Sequence, residues 1–312
     1  MPPLYPLLFI KRIEPMIRKR TINESIEQLS IFDIELPPNY INTLDHIENN
    51  IPNPSENNST NKPPIPIYKA KVPDEEFIYQ DRIGNIPTVN EMLKMLDKGL
   101  YKVNAHEFLA DVFECSAIAI SNRFDIPQAE EREKRYLQII KKYEPDMQKL
   151  ITELFAKMFS LLTQQINSAV GFNDYLGELY MRSETSNSKT GQFFTPYCVS
   201  KMCAEAAINE DAINEHITQD KILTLSEPAC GAGGMVLAAA DILYNKYHFN
   251  ISRNLLVECS DIDSRCVHMS YLQLGLAGIP AVIYKRDTLS LQTWERWETP
   301  AYIMQWLRFK DA

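Results

Sequence analysis

The chain has 312 residues, 45 % of them hydrophobic and 23 % charged, the proportions of a globular protein with room for two domains. Its net charge of −9 at pH 7 excludes a generally basic surface and limits phosphate contacts to local patches such as Lys11, Arg12, Arg18, Lys19 and Arg20. No run of about 18 or more uncharged apolar residues occurs, which excludes a membrane-spanning helix; the N-terminus has the wrong order of apolar and basic residues for a secretory signal, and the six cysteines form no C-x-x-C pair of the kind that holds zinc. The expectation is a cytoplasmic protein with reduced thiols and no metal.

Residues 1–87 read as a largely disordered arm and linker. The stretch from Leu36 to Val72 is rich in Pro, Asn, Ser and Glu, and buries too little apolar surface to offset the entropy of ordering. Residues 88–188 read as a helical domain. Apolar residues recur at helical spacing over Val89–Leu100, Ala105–Asn122 and Ala129–Ser168, and in the last Leu137, Ile140, Leu150, Leu154, Phe155, Met158 and Leu161 share a stripe. Pro145 interrupts that pattern and predicts two helices. Phe172–Arg182 is a further helix with Asn173 as its N-cap.

Residues 189–312 alternate differently. Thr195-Pro196 predicts a helix start, with Thr as N-cap and Pro in the first position, ahead of a helix over Tyr197–Ala207. Strand Ile222–Ser226, helix Met235–Tyr247, strand Leu255–Ser260, helix Ser264–Ala277 and strand Pro280–Tyr284 follow, with Gly278 as a terminator. This β-α-β-α-β order implies an α/β fold with a partial parallel sheet and right-handed crossovers. The tail from Trp294 to Phe309 is expected to form a helix capping the sheet edge, with Trp294, Trp297 and Trp306 used for packing.

The first strand runs into Ser226-Glu227-Pro228-Ala229-Cys230-Gly231-Ala232-Gly233-Gly234. A glycine-rich strand-to-helix turn admits a ligand close to the backbone and meets it with helix N-terminal amides. Its spacing is neither the dinucleotide G-x-G-x-x-G nor a phosphate-binding G-K-[ST] loop. Tight packing alone also explains glycines in such a turn. The second strand ends in Ser260-Asp261-Ile262-Asp263, and an acidic residue there points at the carboxyl edge of the sheet, where a ribose would lie. Asp261 suits the ribose and Asp263 the cap of the next helix. Asp287 ends the third strand, either as a ligand acceptor or as a turn aspartate.

In this order, Gly191-Gln192-Phe193-Phe194-Thr195-Pro196, SEPACGAGGM, SDID and Asp287-Thr288-Leu289 resemble the N6-adenine DNA methylase family, above all the modification subunits of type I restriction–modification systems. Asp174-Tyr175-Leu176-Gly177-Glu178-Leu179-Tyr180 is similar to a helix of that family, so the resemblance spans about Asp174 to Leu289. It implies a Rossmann-like methyltransferase core and S-adenosyl-L-methionine as cofactor. It further implies that Gln192, Phe193, Phe194, Thr195 and Pro196 meet the methionine end. Glu227, Ala229, Gly231 and Gly233 then line the pocket beside the amino-acid moiety, Asp261 takes the ribose hydroxyls, and Asp287 accepts from the adenine amino group. Carboxylates suit such donors, and close backbone approach needs glycine.

Adenine methylation needs a flipped base, which the family holds with an [NDS]-P-P-[YF] motif. From Asp287 to Ala312 the nearest string is Glu298-Thr299-Pro300-Ala301-Tyr302, so the resemblance is to a member truncated before that motif, and no catalytic residue is identified. The expected function is therefore a methyltransferase-like protein of DNA modification that reaches DNA through a partner, a specificity or second modification subunit. The alternative is a catalytically inactive cofactor-binding protein of DNA modification or antirestriction. Finally, Gln28-Leu29-Ser30-Ile31-Phe32 resembles the short peptide by which bacterial DNA-processing proteins bind the sliding clamp, with Gln28, Leu29 and Phe32 as its anchors. An amphipathic helix docking on its own domain is the other reading of those residues.

Overall fold

The structure, a computed structural model, describes residues 86–99, 105–166, 170–183 and 194–310. The arm up to residue 85, with Gln28, Leu29 and Phe32, lies outside the described residues, as do Gln192 and Phe193. Among the described residues five helices come first: α1 (Val89–Gly99), α2 (Ala105–Ser121), α3 (Ile126–Ile140), α4 (Pro145–Leu162) and α5 (Tyr175–Arg182). Pro145 does divide the predicted long helix, and it sits in the first turn of α4, where its missing N–H costs no hydrogen bond. The break resets the helical phase. Ile139 and Ile151 are buried, while Leu137, Ile140 and Leu150 of the predicted stripe stay partly exposed.

Helix α5 starts later than its pattern suggests, and Asp174 rather than Asn173 caps it. Asp174 Oδ1 accepts from Gly177 N at 2.8 Å, while Asn173 Oδ1 accepts from Asp174 N at 2.9 Å. A carboxylate is the better acceptor at the positive end of a helix. Next come α6 (Tyr197–Ala207) and α7 (Glu210–Thr218). The predicted Thr195 cap does not form. Pro196 takes the cap position with an extended ψ of 138°, its carbonyl accepts from Val199 N and Ser200 N, and Thr195 is exposed one residue too far back. Helix α7 was not foreseen, although Asn209 caps it by accepting from Ala212 N at 3.0 Å and Glu210 and Asp211 fill its first turn.

The sheet is built from β1 (Leu223–Glu227), α8 (Gly234–Asn245), the single turn α9 (Ile251–Asn254), β2 (Leu255–Asp261), α10 (Ser264–Leu276) and β3 (Ala281–Asp287), followed by β4 (Gln292–Glu298) and α11 (Pro300–Lys310). Strand order is β1-β2-β3-β4; β1, β2 and β3 run parallel and β4 is antiparallel to β3. This corrects the expected tail. Gln292–Glu298 is a strand covering the edge of β3, and only the residues from Pro300 onward are helical. In the string TWERWE the two tryptophans stand three apart, a helical spacing, and the strand forms instead because β3 offers an edge to pair with. Trp297 is buried and Trp294, on the opposite face of β4, is exposed, so only the former serves packing; the Trp306 side chain lies outside the described residues.

Both crossover helices cover one face of the sheet. Leu225 packs against Ala238, Ala239 and Ile242 of α8 and Ala204 of α6. Trp297 packs against His268 and Tyr271 of α10 with ring centroids 5.0 and 5.3 Å away. The register Glu227–Cys259–Ile283–Trp297 puts these contacts on the same side. The opposite face carries exposed Thr224, Ser226, Glu258 and Arg296. There Arg286 pairs with Glu258 at 3.1 Å and lies 4.1 Å over the Tyr284 ring. Parallel sheets are usually covered on both faces; among the described residues this one presents a polar, internally paired face on its second side.

The helical segment packs directly on α10, and Ile86–Ala312 form one compact unit. Arg132 of α3 bonds Ser121 and Asp125, donates to the Arg296 carbonyl at 3.0 Å and stacks 4.1 Å over Trp297. Among the described residues no helix is long and apolar enough to cross a membrane.

His268 gives this core a pH dependence. It is buried against Trp297 with no hydrogen-bond partner at Nε2. Burial holds its imidazole below the ordinary histidine range; Glu114 and Glu295 oppose that shift, and Lys285 and Arg135 add to it. The unfolded chain therefore takes up a proton that the folded chain refuses, and stability falls as pH drops below about 6.5, by up to about 1.4 kcal/mol per pH unit. Thermal unfolding from pH 7 to pH 5 is expected to show this loss, and His268→Phe to flatten it. An unchanged pH slope in that variant would assign the effect to other groups.

Candidate functional site at the carboxyl edge of the sheet

The turn between β1 and α8 has Gly231 at φ 54° and Gly233 at φ 94°, a left-handed region where a side chain is strained. Gly233 N donates to the Cys230 carbonyl at 2.8 Å, and Cys230 N to the Ser260 carbonyl at 2.9 Å. From the end of β2, Asp261 Oδ2 accepts from Gly231 N at 2.9 Å, and its Oδ1 accepts from Asp263 N at 2.9 Å. Asp261 thus ties the glycine turn to its own loop. The Cys266 thiol is a further donor to this carboxylate, which still has acceptor capacity left for a ligand. Burial pushes its carboxyl above the usual aspartate range, partly opposed by the two amides.

Phe194 packs on the same turn: a Cβ added to Gly231 would stand 3.2 Å from Phe194 Cδ1. Its ring lies 5.6 Å from that of Tyr180 on α5. Tyr180 Oη accepts from Arg265 at 2.7 Å, and Arg265 pairs with Asp263. Asp263 caps α10 by accepting from Arg265 N at 2.9 Å, the role expected of it. Tyr180 and Arg265 were not singled out in the sequence. Tyr180 ends the string DYLGELY, which was the available signal; nothing in the sequence pointed to Arg265.

Phe194, Gly231, Gly233 and Asp261 therefore come together. Thr195 and Pro196 follow Phe194 at an exposed chain position. Glu227 Oε1 accepts from Ala229 N at 3.1 Å, closing the start of the turn. Asp287 lies at the end of β3, where Oδ1 accepts from Leu289 N at 3.0 Å and Oδ2 from Ser290 Oγ at 2.8 Å. These donors hold its carboxyl below the usual range. The next residue, Thr288, donates to the Pro228 carbonyl at 2.6 Å and links β3 to the glycine turn. Ile262 stands at the same edge, 61 % exposed despite its apolar side chain, a position that sequence reasoning passed over.

The string nearest to a catalytic motif is elsewhere. Thr299 is fully buried, donates to the Ile279 carbonyl at 2.8 Å and accepts from Ala281 N at 2.8 Å. It stitches the amino end of β3, at the opposite edge of the sheet from the glycine turn.

No curated protein and no solved structure matches the chain. The model of the N-6 DNA methylase family matches from Asn173 to Ala312, a span that begins beside the buried cap of α5 and takes in Phe194, the glycine turn, Asp261 and Asp287. With the α/β sheet and its carboxyl-edge cluster inside that span, residues 173–312 are similar to the N-6 DNA methylase family.

Proposed function

We propose that this chain binds S-adenosyl-L-methionine at the carboxyl edge of its sheet and serves adenine-N6 methylation of DNA together with a partner chain. The observation that carries the reading is the convergence on Gly231 of three segments remote in sequence. Asp261 reaches its amide at 2.9 Å and Phe194 packs where a Cβ would be. The residues fit the cofactor. The left-handed glycines leave room for close approach, Asp261 offers lone pairs to ribose hydroxyls, and exposed Ile262 offers an apolar face to a purine. Asp287 is the acceptor proposed for the adenine amino group, and Phe194 to Pro196 with Glu227 and Ala229 border the methionine end. The chemistry supplied by the bound cofactor is an electrophilic methyl group on a sulfonium. With a net charge of −9, the chain would rely on a specificity or second modification subunit for DNA contact.

A second reading is favoured by Thr299 to Tyr302, which are committed to stitching the amino edge rather than holding a base. On that reading the chain binds the cofactor without transferring its methyl group, as a regulatory or structural protein of DNA modification or antirestriction. Calorimetric titration of the purified chain with S-adenosyl-L-methionine, followed by tritiated methyl transfer to adenine-containing DNA, separates the two. Micromolar binding with transfer, alone or with a co-purified subunit, supports the first; binding without transfer in either setting supports the second. Absence of binding by the folded chain overturns both.

A further inference from the structure

A turn with two left-handed glycines is soft, because glycine backbone is the least restrained in the chain. Yet two consecutive carbonyls of this turn are held from one helix. Ser270 Oγ donates to the Gly231 carbonyl at 2.8 Å, and Gln273 Nε2 to the Ala232 carbonyl at 2.7 Å. Residues three apart share a helix face, and Gly233 packs on that face of α10: a Cβ added to it would stand 3.3 Å from Ser270 Oγ. Gln273 is wholly buried. Its Nε2 also donates to Asp174 Oδ1 at 2.7 Å, and its Oε1 accepts from Leu176 N at 3.1 Å. Chemistry fixes this amide orientation, since the reverse would set an oxygen against both a carboxylate and a carbonyl.

We propose that Ser270 and Gln273 are positioning residues of the cofactor turn. By drawing the carbonyls of Gly231 and Ala232 toward α10, they set the planes of peptides 231–232 and 232–233. In a trans peptide the N–H points opposite to the C=O, so the directions of the turn's amides are set as well. Gln273 has a separate structural duty, bridging α10 to the cap of α5 through Asp174. The proposal rests on the cofactor reading of this site, and the two duties of Gln273 can be separated.

The test uses the full chain and three measurements: thermal unfolding, hydrogen exchange of the amides of residues 232 and 233 without ligand, and calorimetry with S-adenosyl-L-methionine. Ser270→Ala removes one carbonyl donor with little disturbance of the core. It is expected to speed exchange of the turn amides about tenfold and to weaken binding by a similar factor. Gln273→Glu alone sets two carboxylates face to face, so it is combined with Asp174→Asn, which removes one of the two charges while Oδ1 still accepts from Gly177 N. In this double variant the melting temperature returns toward that of the parent, while the Ala232 carbonyl still faces an oxygen; exchange stays fast and binding stays about tenfold weak. Parental exchange in both Ser270→Ala and the folded double variant overturns the proposal, as does parental affinity in both. A parent chain that binds no cofactor, with exchange still accelerated in the variants, rejects the cofactor reading and leaves the control of turn geometry standing.

Discussion

Asp261→Ala is expected to weaken S-adenosyl-L-methionine binding by at least about 100-fold and to loosen both loops at the carboxyl edge. The substitution removes the proposed ribose acceptor and also strands the amides of Gly231 and Asp263, which now donate to the two carboxylate oxygens. A buried donor left unpaired costs about 1–3 kcal/mol, and these two half-buried amides fall toward the low end. Asp261→Asn keeps one acceptor oxygen and is expected to fall between the parent and the alanine variant. Calorimetry with all three forms tests the ranking, and equal affinity of Asp261→Ala and the parent would remove Asp261 from the site.

The pH response of Asp261 has two opposite parts. Burial raises its folded-state pKa above that of the unfolded chain. The folded protein thus takes up this proton more readily, so ionised Asp261 opposes stability at neutral pH and the opposition fades as pH falls through the raised value. Binding moves the other way, because a protonated carboxyl gives up acceptor capacity. Affinity is therefore expected to decline at a pH above the ordinary aspartate range of about 3.9.

The second large effect is expected at the cap of α5, directly behind the glycine turn. Gly177→Ala would place a Cβ within 2.5 Å of Asp174 Cγ and Oδ1. Asp174 cannot easily retreat, being buried and bonded to Gly177 N and Gln273 Nε2. Burial also pushes its carboxyl above the usual range, so little slack remains in its solvation. Overpacking of this kind costs about 2–3 kcal/mol. For a unit of this size the melting temperature should fall by roughly 5–10 °C. Gly275→Ala is the control: it lies within α10, and its added Cβ would meet nothing closer than Pro300 Cδ at 3.4 Å. There alanine should be neutral or stabilising by up to about 1 kcal/mol, since it is the better helix former. Similar losses in the two variants would show that the Asp174 cap is not the constraint.

The elements predicted between Tyr197 and Tyr284 fall close to their expected positions, because their signals are local: apolar runs, a glycine turn, and an aspartate ahead of α10; the short helices α7 and α9 carry no such signal. Local signals failed where two neighbouring residues could do one job. Asn173 and Asp174 both suit an N-cap, and burial against Gln273 selects the aspartate. Thr195 and Pro196 both mark a helix start, and the extended ψ of Pro196 moves that start by one residue. The tail misread had a different cause. Its tryptophans suggested a packing helix, yet β4 exists because the edge of β3 supplies hydrogen-bond partners that no local pattern displays.

By itself, the sequence determined the α/β alternation, the position of the glycine turn and the acidic ends of β2 and β3, since each depends on residues within a few positions of one another. Only the tertiary structure decided that Asp261 and Phe194 meet at Gly231, that Tyr180 and Arg265 stand behind them, and that Ser270 and Gln273 hold the turn. The physical reason is range: hydrogen bonds and side-chain contacts act over a few ångströms, and the Gln273–Asp174 bond, at 2.7 Å, joins residues 99 apart in the chain.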